Sequence, residues 1–239
     1  MKKTVSQAIK DRRSVRVFKD SKIKSNKVKE CIHNATLAPN SSNLQLWEFI
    51  HVNDPVYLNK LSKACMNQSA AKTASQIVVV VTRKNLWRKR AKKNIEFLTK
   101  QYKENSITTK RYKLALKYYS KLIPILYFDF LGILGVFKYL MFQIIGLFIP
   151  VVRQTLNSDL RIVAHKSAGL AAQNFMISMS EIGYDTCPME GFDSLIVKKT
   201  LKLPRGSEIN MVIGCGEREE KGVYGPQFRV PFEMVYKYI

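Results

Sequence analysis

The 239-residue chain predicts an α+β fold, with helices layered against a central, mostly antiparallel sheet. Three observations carry that prediction. Helical periodicities outweigh strand-like runs. The strand-like runs do not alternate regularly with short helices, as a doubly wound parallel sheet would require. No Gly-x-Gly-x-x-Gly occurs, so no Rossmann dinucleotide unit is expected.

Ser6 to Asp11 reads as the end of a short helix. Ser25 reads as the N-cap of a second, because Val28, Cys31, Ile32 and Ala35 recur at helical spacing up to Leu37. Pro39 stops it, and Asn40 to Asn43 has turn chemistry. Trp47 to Val52 reads as a strand. Asp54-Pro55 opens another helix, with proline at the first helical position. Gln76 to Thr82 contains a β-branched run suited to a strand buried on both faces. Residues 85 to 120 lack Gly and Pro and are rich in Lys, Leu, Tyr and Ala, which predicts one or two basic helices. Leu122 to Val152 is apolar except for Asp129, Lys138 and Gln143, and Pro124, Gly132, Gly135, Gly146 and Pro150 interrupt it. Asp159 to Ile182 is a long predicted helix ended by Gly183. Its Ala164, Ala168, Ala171, Ala172 and Phe175 suit close packing. Asp193 caps a helix to Leu201, Glu208 to Gly214 is a strand, and the tail from Gly225 has no helical pattern. No linker or repeat divides the chain, so residues 1–239 are expected to form one domain with one long insertion at 84–157.

The formal charge is +22, and it is uneven. Arg83 to Lys121 holds 14 Lys/Arg against 2 Glu, so +12 sits in 39 residues. A block of that density predicts either a solvated helical face or an anionic partner. Nucleic acid is disfavoured, because no helix-turn-helix, zinc or RNP-like motif appears. Cys31, Cys65, Cys187 and Cys215 lie far apart, without Cys-x-x-Cys and without clustered histidines. Neither a metal site nor a disulfide scaffold is expected. Met1 to Arg16 is basic without an apolar run, which argues against a secretory signal and for a cytoplasmic protein.

Four segments have the residue types for chemistry. Arg12-Arg13-Ser14-Val15-Arg16 surrounds a hydroxyl with guanidiniums, which grip phosphate as planar forks. Pro39-Asn40-Ser41-Ser42-Asn43-Leu44-Gln45-Leu46-Trp47 is a polar loop leading into a strand. Pro188-Met189-Glu190-Gly191-Phe192 follows the long helix, and its glycine permits close backbone approach. Gln227 and Arg229 precede Val230-Pro231-Phe232. In this order, with Ala172-Gln173-Asn174-Phe175 and Gly214-Cys215-Gly216-Glu217 between them, the segments resemble the nitroreductase family, which is built around FMN. The resemblance covers roughly residues 5 to 83 and 158 to 235.

The resemblance implies a residue-by-residue cofactor site. Arg12, beside Arg13, would hold the FMN phosphate, Ser14 the ring edge or ribityl chain, and Arg16 the pyrimidine end. A fixed cation there stabilises the charge that reduction places on that edge. Pro39, Asn40, Ser41, Asn43 and Gln45 would reach the flavin of the partner subunit. Asn40 stands where the family has Ser, and Leu46 where it has Pro. Asn67 would face the pyrimidine edge. Ala70 stands where a lysine is usual, with Lys72 close but out of register. Pro188, Met189, Glu190 and Gly191 would border flavin N5, with the backbone N–H groups of Glu190 and Gly191 as the catalytic donors. Arg229 would share the phosphate.

The implied protein is a homodimer that takes electrons from NADH or NADPH and passes them, by a ping-pong route, to a small hydrophobic or aromatic acceptor such as a nitroaromatic or quinone. Reductive dehalogenation or dehydrogenation on the same fold is the nearest alternative. A membrane- or nucleic-acid-binding protein without flavin chemistry is another, supported by the charge and by Ala70. Leu122 to Val152 is long enough to cross a bilayer, which takes about 20 apolar residues. However, Asp129 and Lys138 would cost several kcal/mol each at mid-bilayer, and a single pass would split the flavin motifs. A buried lid, a re-entrant hairpin or an interfacial anchor remains. The basic block favours peripheral contact with an anionic membrane surface through residues 83–152.

Overall fold

The computed structural model describes residues 3–129 and 133–239. Among these, four strands form one sheet: β1 (Trp47–Val52), β2 (Gln76–Thr82), β3 (Asp185–Met189) and β4 (Glu208–Gly216), in the order β1-β2-β4-β3. Every pairing is antiparallel, and the register runs Ile50 to Val79, Val79 to Val212, Val212 to Met189. The β-branched run makes β2 the centre, with Ile77 through Val81 fully buried.

Side chains alternate across a strand, so β2 feeds two cores. Ile77, Val79 and Val81 pack with Leu61, Val197 and Val212. Here lie α3 (Pro55–Ala64), α4 (Ser69–Lys72) and α10 (Ser194–Thr200). Val78 and Val80 pack on the other face with Val28, Ala168, Ala172 and Phe175, brought by α2 (Ser25–Thr36) and α9 (Asn157–Glu181). The alanine face of α9 lets it approach α2 and the sheet closely. The result is helix, sheet and helix in three layers, as the α+β reading expects. A short helix, α1 (Val5–Asp11), precedes them. Between β2 and α9 come the two basic helices, α5 (Trp87–Lys103) and α6 (Thr109–Lys117), then α7 (Ile123–Tyr127) and α8 (Ile133–Ile145). Part of the apolar stretch, at 130–132, lies outside the described residues. No described helix is long and apolar enough to cross a membrane.

Local signals hold where the chemistry is local. Asp54 caps α3 by accepting from Val56 N at 2.9 Å and Tyr57 N at 3.1 Å. Asp193 does the same for α10, and Gly183 adopts φ +86 just beyond α9. One expectation needs correction. Ser25 is not an N-cap: Lys24 occupies that position, without a side-chain cap. The Ser25 hydroxyl instead accepts from Gln76 Nε2 at 3.1 Å and ties α2 to β2. Asp185–Met189, to which the sequence reading assigns no element, forms β3. Proline lacks a ladder donor but is tolerated at an edge, and β3 is an edge strand.

Glu208, at the start of β4, makes an ion pair with Arg161 and meets His165 Nε2 at 3.3 Å. Burial alone would raise its carboxyl, but the hydrogen bonds and charges of Arg161 and His165 outweigh burial and hold it low. A depressed carboxyl adds stability that is present above its unfolded value and lost as pH falls through the folded one. Glu208→Gln is therefore expected to cost about 0.5–1 kcal/mol near neutrality, discounted for exposure. Urea titrations should show the gap to the parent closing below about pH 4. A gap that persists at acidic pH would count against the pairing.

Candidate functional site

The site begins at the β3 edge. Ser14 forms a parallel bridge to Thr186, and Val15 N donates to Thr186 O at 3.1 Å. The Arg12–Arg16 segment is therefore extended along β3, where alternate residues share a face. Arg16 N donates to Gly222 O at 2.7 Å, which brings the C-terminal segment alongside. Arg12, Arg13, Ser14 and Arg16 then line a cleft of about 380 Å³ with Tyr224, Gln227 and Arg229.

This cleft gathers positive charge without compensation. Among the described residues, none of Arg12, Arg13, Arg16 and Arg229 forms an ion pair. Arg12 is held below the usual arginine range by burial first, then by the charges of Arg229 and Arg13. Arg13 reaches Gly225 O, and Arg229 Nη1 reaches Phe228 O at 2.6 Å, both neutral carbonyls. Three half-buried guanidiniums, of Arg12, Arg13 and Arg16, with the exposed one of Arg229, form an anion site by their own electrostatics. Cys187 is buried beneath them. Its thiol is pushed up by burial, with Arg16 and Arg12 acting in the opposite direction.

β3 carries the chain from this cleft to Pro188, Met189, Glu190 and Gly191. Met189 is buried, whereas Glu190 and Gly191 are exposed just past the strand. No backbone partner is seen for the N–H groups of Glu190 or Gly191 among the described residues. Asp193 N donates to Ala64 O at 2.8 Å and fixes the far end of the loop on α3. Gln68 Nε2 donates to Gly191 O at 2.7 Å. That bond holds the peptide in place, and a Cβ on Gly191 would meet Gln68 Nε2 at 3.2 Å. Sequence reasoning singled out Asn67 and missed Gln68. The chain turns through left-handed Met66 and Asn67 (φ +59 and +52), which no glycine announces. Asn67 itself lines a separate cavity, of about 610 Å³, with Ser62 and Lys72. Lys72 thus stands near Asn67, whereas Ala70 is buried.

Pro39, Asn40, Ser41, Asn43 and Gln45 lie elsewhere. Their loop enters β1, the sheet edge opposite β3, three strand spacings or roughly 14 Å away. It is held by itself and by the insertion. Asn40 Oδ1 accepts from Gln45 N at 2.8 Å, and Gln45 Nε2 donates to Asn43 Oδ1 at 3.2 Å. Asn43 Nδ2 donates to Asn94 Oδ1 at 3.0 Å, and Tyr119 Oη to Ser42 O at 3.0 Å. Ser42 Oγ meets Tyr118 Oη at 2.6 Å. Ser42, Asn43 and Gln45 all have positive φ, so the loop is strained as well as polar. Asn94, Tyr118 and Tyr119 carry no motif, and no sequence signal marked them as its supports.

The expected site residues thus form a cationic cleft with a free N–H pair at one sheet edge and a polar loop at the other, with Asn67 apart in its own cavity. A model of the nitroreductase family matches residues 9–217. The chain belongs to the nitroreductase family. DrgA of Synechocystis is 28% identical over 217 residues, covering 89% of this chain and 83% of DrgA. The structure of YdfN from Bacillus subtilis matches with a TM-score of 0.75 at 21% identity, over 98% of both chains. A nitroreductase-fold protein of Exiguobacterium sibiricum, solved in complex with FMN, matches with a TM-score of 0.70 at 19% identity, over 99% of this chain and 98% of that one. At those identities the two structures establish the fold. This nitroreductase therefore has the family's architecture, and its own residues must carry any argument about the cofactor. They fit FMN on two counts. An anion site with no internal counter-ion suits a phosphate, and unpartnered N–H groups on a fixed loop suit a hydride-accepting ring edge.

Proposed function

We propose that this nitroreductase is an FMN-dependent oxidoreductase that uses NADH or NADPH to reduce a small hydrophobic or aromatic acceptor of the nitroaromatic or quinone type. The observation that carries the reading is the unpaired cluster of Arg12, Arg13 and Arg229 on the same strand edge as the free N–H groups of Glu190 and Gly191. FMN, when bound, supplies a ring that accepts hydride and releases electrons. Arg12, Arg13 and Arg229 would hold its phosphate, with Ser14 and Arg16 beside them. Glu190 and Gly191 would keep fixed donors on the reacting edge, with Gln68 holding the Gly191 peptide. Pro188 and Met189 set the loop that presents them.

A homodimer belongs to the same reading. Pro39, Asn40, Ser41, Asn43 and Gln45 stand at the opposite sheet edge from Arg12, so one chain supplies two half-sites that a second copy would complete. The tail points the same way: Phe228, Phe232, Tyr236 and Tyr238 are exposed on a segment without regular structure beyond one short turn. The reading treats residues 1–239 as one domain, with 84–157 as an insertion that buttresses the polar loop. It also includes peripheral contact with an anionic membrane surface through residues 83–152.

An absorbance spectrum of the purified protein, followed by anaerobic NADH and then NADPH, tests this directly. Flavin bands that bleach are expected, and the faster donor identifies the reductant. Steady-state double-reciprocal plots should then be parallel, because donor and acceptor use one position in turn. Absence of flavin after soaking with FMN would overturn the cofactor assignment, and intersecting lines would overturn the ping-pong order.

A further inference from the structure

The chain's most apolar stretch folds only partly into the core. Ile123 and Tyr127 of α7 are buried against Leu44, Leu46 and Leu160. α8 is different, because its one buried residue is Gly135. Ile133, Val136, Phe137, Leu140 and Ile144 are exposed on it, and Phe148 just beyond it is 81% exposed. At 3.6 residues per turn, the exposed positions of α8 fall on one arc of roughly 160°. An outward apolar face of this extent marks an interaction surface.

The polar groups around α8 bond to nearby backbone. Lys138 Nζ donates to the carbonyls of Ile125 at 3.1 Å, Leu126 at 3.0 Å and Phe128 at 2.7 Å, which close α7. Arg153 donates to Gln143 O at 3.2 Å and to Gly146 O, at the end of α8. Asp129 Oδ1 accepts from Gly135 N at 2.9 Å, in the first turns of α8. Helix ends otherwise leave such backbone groups unpaired, which is costly away from water. Asp129 and Lys138 thus serve the backbone of the stretch itself, Gln143 Nε2 donates to Arg153 O just beyond it at 3.3 Å, and the outer face of α8 is left apolar.

We propose that residues 133–152 form a shallow membrane anchor, lying in the headgroup–acyl boundary of an anionic leaflet. The 13 residues of α8 extend about 20 Å, too short for a hydrocarbon core of about 30 Å. The anchor therefore lies in the interface and does not span. Charge complementarity selects the partner. α5 and α6 carry exposed Arg88, Lys89, Lys92, Lys110, Lys113 and Lys117, and each basic residue near an anionic surface contributes on the order of 1 kcal/mol. This anchor specifies the membrane contact of the proposed function and does not depend on the flavin.

Co-sedimentation of the full chain with vesicles tests it, with flavin absorbance read on the same samples so that the two proposals fail separately. Binding is expected to vesicles of phosphatidylcholine with phosphatidylglycerol, to fall with added salt, and to be weak on phosphatidylcholine alone. The double substitution Phe137→Glu and Phe148→Glu should weaken it about 100-fold. Lys110→Glu with Lys113→Glu should weaken it on anionic vesicles only. Circular dichroism of both variants should match the parent. No sedimentation with anionic vesicles at low salt would overturn the proposal, as would undiminished binding by the phenylalanine variant. A smaller assembly of that variant by light scattering would also overturn it, because a second copy would then cover the face.

Discussion

Arg12→Ala is expected to weaken FMN binding by about 10- to 100-fold, since a hydrogen bond to a charged group contributes about 1.5–3 kcal/mol. Arg12 is the guanidinium most enclosed by its own kind. Burial and the charges of Arg229 and Arg13 already disfavour its ionised form, and no carboxylate offsets them. A phosphate entering the cleft relieves that repulsion, so the loss on truncation includes more than one hydrogen bond. Flavin-fluorescence titration of the apoprotein measures the effect. Arg12→Lys should recover only part of the affinity, because an ammonium lacks the planar fork. Inorganic phosphate should compete with FMN in the parent and much less in Arg12→Ala. An unchanged dissociation constant in Arg12→Ala would place the phosphate elsewhere.

Phe175→Ala is expected to be the most destabilising single truncation, by about 3–5 kcal/mol. Phe175 is fully buried in the layer between β2 and α9, among Val78, Val80, Ala168 and Ala172. Ala168, Ala171 and Ala172 beside it on α9 are already small, and only the flexible Met176 and Met179 of that cluster could fill part of the void from the same helix. The sheet behind it is equally fixed, because β2 pairs on both edges. A cavity that collapses only in part costs both transfer and packing energy. Urea unfolding should show a lower midpoint with an unchanged slope. A loss under about 1 kcal/mol would mean that α9 moves inward, and the rigid three-layer packing would need revision.

Much of the fold was legible because it follows from short-range rules. The β-branched run from Ile77 to Val81 sits at the sheet centre. Asp54-Pro55 and Asp193 open their helices by hydrogen-bonding the first free N–H groups. Gly183 ends α9 by adopting a φ that other residues resist. The misreadings have equally physical causes. Ser25 has the side chain of a cap, but Gln76 from β2 claims its hydroxyl. No β-branched run announces β3, and its Pro188 is tolerated because the edge of a sheet does not need its missing donor. Gln68 gave no signal because its role is a single bond to Gly191 across the layers.

Residue types and their near neighbours set the chemistry on offer. They placed guanidiniums around Ser14, a glycine after Glu190, a polar loop at Asn40 to Gln45, and an apolar stretch behind a basic block. These are properties of residue types and near neighbours, set by side-chain pKa, hydrogen-bonding capacity and backbone freedom. Only the tertiary structure decided which of them meet. The sheet order places β3 and β1 at opposite edges, so Arg12 and Arg229 share a cleft with Glu190 further along the same edge, while Asn40 to Gln45 stand apart. It also decided that Lys138 and Arg153 turn onto helix-end carbonyls, leaving Phe137 and Phe148 exposed. Such outcomes depend on strand pairing and packing between distant segments, which no local periodicity encodes.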